Sequence, residues 1–208
     1  MTAAFAGTAA ADGPYHTGEQ IPFTADYRTE GAMLKSGPIE GTLRVGSDVA
    51  RLDLESHPNA QHPIALLAAD GETWSIDLEA KTFDRLGSGD WETKVFPRII
   101  SARKVDKIAD GKCPFGFAKA QDCRNHGSET VAGRSVEKWT FKKRSLWLDP
   151  QLRVVLREEF KPFWKKDDKP SVSLSNVRLE DQDPTLFTIP GGLECRAGSY
   201  CKNAPVAR

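Results

Sequence analysis

Cysteine is the residue type whose spacing most narrows the chemistry of this chain. Cys113 and Cys123 stand in KCPFGFAKAQDC, and Cys195 and Cys201 stand in ECRAGSYC. An even count with close partners suits an oxidising compartment, whereas a reducing cytosol keeps thiols unpaired. Zinc fits less well, because neither spacing is C-x2–4-C and no histidine stands at ligand spacing from either pair. Disulfides are therefore favoured over buried free thiols and over metal. Four cysteines allow three connectivities; the local one, 113 with 123 and 195 with 201, closes the shortest loops and is favoured. The chain is expected to be extracytoplasmic.

The other chemistry-bearing residues form no catalytic pattern. His57 and His62 flank PNAQ, each followed by a proline, and are expected to be solvated loop residues. His16 stands near the N-terminus, and His126 lies beside Asn125 and Gly127 in an expected turn. There is no G-x-S-x-G, no H-E-x-x-H and no glycine-rich phosphate loop. Asp53, Glu55, Glu158 and Glu159 alternate with apolar neighbours, as on the wet face of strands. A general acid–base pair would need two such carboxyls converging in one pocket. No catalytic residue, cofactor or metal is expected.

Composition limits the partners. The 208 residues are 39% hydrophobic and 28% charged, enough apolar material for a real core. Lys plus Arg and Asp plus Glu both number 29, so no net field draws in a polyanion, and nucleic acid is not an expected partner. No stretch approaches the roughly 18 consecutive apolar residues of a membrane span. MTAAFAGTAAADGP lacks a basic region and a long apolar core but is rich in small residues, like the cleavage end of a leader. Residues 1–18 are expected to be a poorly ordered leader remnant or an Ala/Gly-rich tail, and residues 19–208 one domain.

The elements that must position any site read mainly as strands. Phe23, Ala25 and Tyr27 alternate with polar neighbours, as do Ile39, Leu43 and Val45, then Leu52 and Leu54, then Trp74, Ile76 and Leu78. Such alternation is the mark of antiparallel sheet with one wet face. Turn residues punctuate the runs at Ser36-Gly37-Pro38, Gly46-Ser47-Asp48, Asp70-Gly71 and Gly87-Ser88-Gly89. Between this meander and a second block of strands, the pattern over residues 97–110 predicts one helix, with Pro97 in its first turn and Gly111 ending it. Strands resume around Ala132-Gly133, in a hairpin turning at Asp149-Pro150-Gln151, and in SVSLSNVRLED. Ten or eleven strands and one helix are expected. Asp183 can cap a single helical turn opening at Pro184, which would throw Leu186 and Phe187 back on the sheet.

ETVAGRSVEKWTF, LWLDPQLRVVLREEF and SNVRLEDQDPTLFTIPGG resemble the closing section of periplasmic proteins with the lipoprotein-carrier (LolA-like) fold. More narrowly, Pro184-Thr185-Leu186-Phe187-Thr188-Ile189-Pro190-Gly191-Gly192 is similar to the P-x-x-F-x-I/V-P-x-G ending of uncharacterised relatives in that family. The resemblance spans roughly residues 22–192; the cysteines lie outside the family pattern. It implies a mainly β (α+β) fold: a strongly curved antiparallel sheet, or half-open β-barrel, with a helical lid over an apolar inner face.

A periplasmic, non-catalytic binding or carrier protein for a lipid, a lipoprotein acyl chain or another hydrophobic ligand is the leading expectation. A cell-envelope scaffold or sensor with a filled interior is the alternative, and a hydrolase with scattered acids the third. Candidate cavity residues are Leu43, Leu52, Leu54, Trp74, Ile76, Ile99, Ile100, Trp147 and Val155. Alternation alone leaves open which face of each strand is concave. In EEFKPFWKKDDK, Phe163, Trp164, Lys165 and Lys166 suit peripheral contact with an anionic bilayer, or form a loop folded on the rim.

Overall fold

The structure is a computed structural model that describes residues 19–30, 37–55, 62–87, 90, 92, 95–100, 113, 123–160, 171–196, 201 and 204–207. The expectations for residues 1–18, for His57, for the helix beyond Ile100 and for Phe163, Trp164, Lys165 and Lys166 lie outside the described residues.

Among the described residues, twelve strands form one curved, unclosed sheet. The first six are β1 (Phe23–Glu30), β2 (Ile39–Val45), β3 (Ala50–Leu54), β4 (Ile64–Ala69), β5 (Glu72–Asp77) and β6 (Thr82–Arg85). They pair in chain order as an antiparallel meander. The second block is β7 (Cys123–Val131), β8 (Arg134–Phe141), β9 (Arg144–Asp149), β10 (Val154–Phe160) and β11 (Ser171–Leu179). It joins the first where β11 pairs antiparallel with β1, from Phe23 opposite Leu179 to Glu30 opposite Ser171. A two-residue strand, β12 (Glu194–Cys195), adds parallel to β6 at one edge, and β7 is the other edge.

Local chemistry accounts for the hairpins. Asp70 and Gly71 carry φ of 52° and 78°, and Ala132 and Gly133 carry 50° and 76°, the left-handed pairs that two-residue hairpin loops require. Bulges in β1/β11, β9/β10 and β7/β8 add local twist, which bends the sheet. The last of these carries His126, which lies within β7 and not in a turn, its ring 2.7 Å from the Thr140 hydroxyl. Phe187 belongs to a 3₁₀ turn, Pro184–Phe187, whose Thr185 N–H donates to the Asp183 carboxylate at 2.9 Å, the cap that the sequence predicts.

Among the described residues, three apolar clusters hold the sheet together. Leu43, Leu52, Leu54 and Leu66 meet Phe23, Tyr27 and, from the second block, Trp147, Leu156 and Leu174. On the opposite face of β8–β10, Trp139, Leu146, Leu148 and Val155 pack with Ile100. On the opposite face of β4–β6, Leu67, Trp74, Ile76 and Phe83 pack under Phe187 and Ile189 of the C-terminal segment. That segment is tied down by Arg51, which donates to the Leu186 carbonyl at 2.9 Å, and by Ile189, which accepts from Ala207 N–H at 2.9 Å.

Two differences from the sequence expectations matter for the site. Residues 97–100 are extended, not the first turn of a helix. Ile99 bridges antiparallel to Val154, Ile100 N–H donates to Arg153 O at 2.7 Å, and Val155 N–H donates to Arg98 O at 3.0 Å. Among the described residues β11 pairs with β10 only at Arg157, Glu158 and Glu159, so the start of β10 offers backbone partners that a helix here would forgo. Among the described residues there is no helical lid.

Candidate ligand cavity

A cavity of about 640 Å³ opens at one end of the sheet. The β2–β3 turn (Gly46, Ser47, Asp48, Val49) and the β4–β5 turn form two of its walls. A third is the strap 95–100, which presents Ile99 and Ile100. The strap is held from several sides: the Tyr27 hydroxyl donates to Val95 O at 2.9 Å, and Arg98 Nε pairs with Glu158 at 2.8 Å while Arg144 holds the other carboxylate oxygen. Burial pushes the Tyr27 hydroxyl well above its ordinary pKa, so it stays a donor.

Most of the lining is apolar, with Val45, Ala50, Ala68 and Ala69 among the sheet residues. Polar residues line it too, Glu19, Gln20, Ser47, Asp48, Glu72 and Thr73, and Arg153 is the buried charge among them. It is the last residue of the turn between β9 and β10, has a φ of 50°, and is only 4% exposed. Its Nε donates to Gln20 Oε1 at 3.2 Å, and Gln20 Nε2 in turn donates to Leu152 O at 2.6 Å. Nη1 of Arg153 is buried and has no hydrogen-bond partner among the described residues. Desolvation pulls the guanidinium below its ordinary pKa, while the charge of Asp48 acts the other way.

Register divides the nine sequence candidates among different places. Leu52 faces Leu66 across β3 and β4, and Leu67 faces Trp74 across β4 and β5. Cross-strand partners share a face and neighbours along a strand do not. Trp74 and Ile76 therefore lie on the face away from Leu43, Leu52 and Leu54, beneath the C-terminal segment. Leu43, Leu52 and Leu54 are sealed within the central cluster. Trp147 joins that cluster with its ring between the Lys138 ammonium and the Arg157 guanidinium, each 5.0 Å from its centroid, and its Nε1 donates to Glu129 at 2.6 Å. Val155 packs with Ile100 on the far side of β10. Of the nine, Ile99 and Ile100 line the cavity. Arg153 and Gln20 went unselected by sequence reasoning; the one available signal was an arginine inside the apolar run LRVVL.

Both cysteine pairs are joined locally, Cys113 to Cys123 with Cα atoms 5.6 Å apart and Cys195 to Cys201 at 6.2 Å. Such disulfides fit an oxidising compartment. Among the described residues no group of three His, Cys, Asp or Glu is placed to hold a metal ion, and no helix is long and apolar enough to cross a membrane.

The sheet has a counterpart among solved structures. An uncharacterised conserved protein from Thermus thermophilus shares the fold. It superposes with a TM-score of 0.53 at 10% identity, over 85% of this chain and 90% of that one. A LolA superfamily protein from Nitrosomonas europaea overlaps more loosely, with a TM-score of 0.38 at 13% identity over 81% and 90% of the two chains. The Mycobacterium tuberculosis lipoprotein LppX gives 0.39 at 13% identity over 80% and 90%. No protein-family model matches the chain, and no curated protein matches it significantly.

Proposed function

We propose that this chain is a non-catalytic binding or carrier protein of the cell envelope that holds a lipid, an acyl chain or a similar hydrophobic ligand. The observation that carries the reading is the cavity of about 640 Å³ with its mostly apolar lining, within the roughly 300–1,000 Å³ typical of small-molecule sites. The sequence resemblance to lipoprotein carriers supports it, and the two disulfides support a periplasmic location. The aliphatic tail lies against Val45, Ala50, Ala68, Ile99 and Ile100, and Phe163, Trp164, Lys165 and Lys166 are the candidate contact with a bilayer surface.

A second reading, a scaffold or sensor, is favoured by one observation. The central cluster around Leu43, Leu52 and Leu54 is filled by its own side chains. Titration with the environment-sensitive dye Nile red separates the two. The carrier reading expects saturable binding, abolished by Ala68→Trp, which fills the cavity from a half-buried position. Absence of saturable binding to the folded protein would give the case to the scaffold.

A further inference from the structure

Arg153 is placed at double cost. A guanidinium removed from water is unfavourable unless it is paired, yet its Nε meets only a neutral amide oxygen and its Nη1 meets nothing among the described residues. Its backbone also occupies the left-handed region at φ 50°, where glycine sits without strain. Arginine keeps its proton under all ordinary conditions, so the cavity wall holds a buried positive charge with one hydrogen bond unmade.

The carboxylates lining the same cavity do not close that donor. Glu72 is engaged by Arg85 across the β5–β6 pair. Asp48 is exposed on the β2–β3 turn, and no hydrogen bond joins it to Arg153 Nη1 among the described residues. Glu19 is exposed at the rim. A cavity whose lining surface is mainly apolar and whose one cation is buried with a hydrogen bond unmade matches a molecule with an aliphatic tail and an acceptor-rich head, and guanidinium donors fit carboxylate and phosphate oxygens best.

We propose that Arg153 is an anion-binding residue, and that the ligand is an amphiphile whose carboxylate or phosphate head is held by the Arg153 guanidinium, with Gln20 fixing the guanidinium's orientation. The assignment rests on the carrier reading and narrows it to a ligand class.

Displacement of Nile red from the full chain tests it, with dodecanoate, dodecyl phosphate and 1-dodecanol compared at equal tail length. The two anions should displace the dye at concentrations about tenfold or more below the alcohol, the scale of a charge-assisted hydrogen bond. Arg153→Gln should collapse that preference, with circular dichroism reporting the fold. Equal potency of acid, phosphate and alcohol on the wild-type protein overturns the head-group assignment and leaves the carrier reading standing. That comparison decides even where the variant fails to fold. Displacement by inorganic phosphate alone, as potent as by dodecyl phosphate, overturns the amphiphile in favour of a free-anion site. Absence of dye binding overturns both readings.

Discussion

His62 Nε2 lies 2.8 Å from Oδ2 of Asp77, so a histidine expected to be solvated in a loop is instead held at the end of β5. The hydrogen bond to Asp77 raises the His62 pKa above 6.5, helped by the charges of Asp77 and Glu79 and opposed by partial burial and Arg196. For Asp77, burial acts upward, but the Ala80 N–H, the His62 bond and the nearby positive charges outweigh it and set its pKa below 3.8.

A pH dependence follows with a definite sign. The His62 contribution to stability is fully present below about pH 6.5 and is lost as pH rises through its raised folded value. The Asp77 contribution is present above its ordinary value and lost as pH falls through its lowered one. Urea midpoints of wild type and His62→Gln should differ more at about pH 5.5 than at about pH 9. An equal gap at both would show that the pair does not titrate with folding.

Trp74 is the largest side chain of the cluster under the C-terminal segment, 1% exposed and 6.2 Å from the Phe83 ring. Trp74→Ala should cost about 3–5 kcal/mol in equilibrium unfolding. A loss below about 1 kcal/mol would contradict its place in a packed core.

Gly46 of the β2–β3 turn abuts the Phe187 ring; a Cβ there would stand 3.2 Å from it. Phe187→Ala is expected to cost about 3 kcal/mol. Gly46→Ala should destabilise wild type but do so less on a Phe187→Leu background, because the smaller side chain leaves room. A double-mutant cycle with no coupling would show that the two do not touch.

The unreduced protein should be lighter than the reduced form by about four hydrogens and titrate no thiols, as two disulfides require. Paired Cys195→Ser and Cys201→Ser substitutions should cost about 2–3 kcal/mol, because both residues pack on the cluster around Trp74. Four titratable thiols in the unreduced protein would sink both bridges and the compartment argument.

Much of the sheet was legible because its strands have one apolar face. Ile39, Leu43 and Val45 are buried in alternation, and Asp70-Gly71 turns where its residue types demand. Period-two reading could not say which face of β5 Trp74 occupies, since β4 is buried on both sides by Leu66 and Leu67 and passes the alternation to opposite cores. The helix expected from Pro97 failed at its start because apolar spacing is indifferent to the unpaired backbone of β10, which Arg98 and Ile100 satisfy. Arg153 was hidden for another reason: a buried charge is recognised by its missing partner, and partners belong to three-dimensional neighbourhoods.

The seam between β1 and β11 has a kinetic consequence. Phe23 belongs to a ladder whose opposite member is Leu179, so the central strand lacks one of its two neighbours until most of the chain has emerged. Closing so long a loop costs entropy before any contact repays it. The six-strand meander can assemble early with β1 as an open edge, and recruitment of β11 then completes the native state as a late, slow event. During that interval the bare edge of β1 is where a second, half-made copy would add in its place.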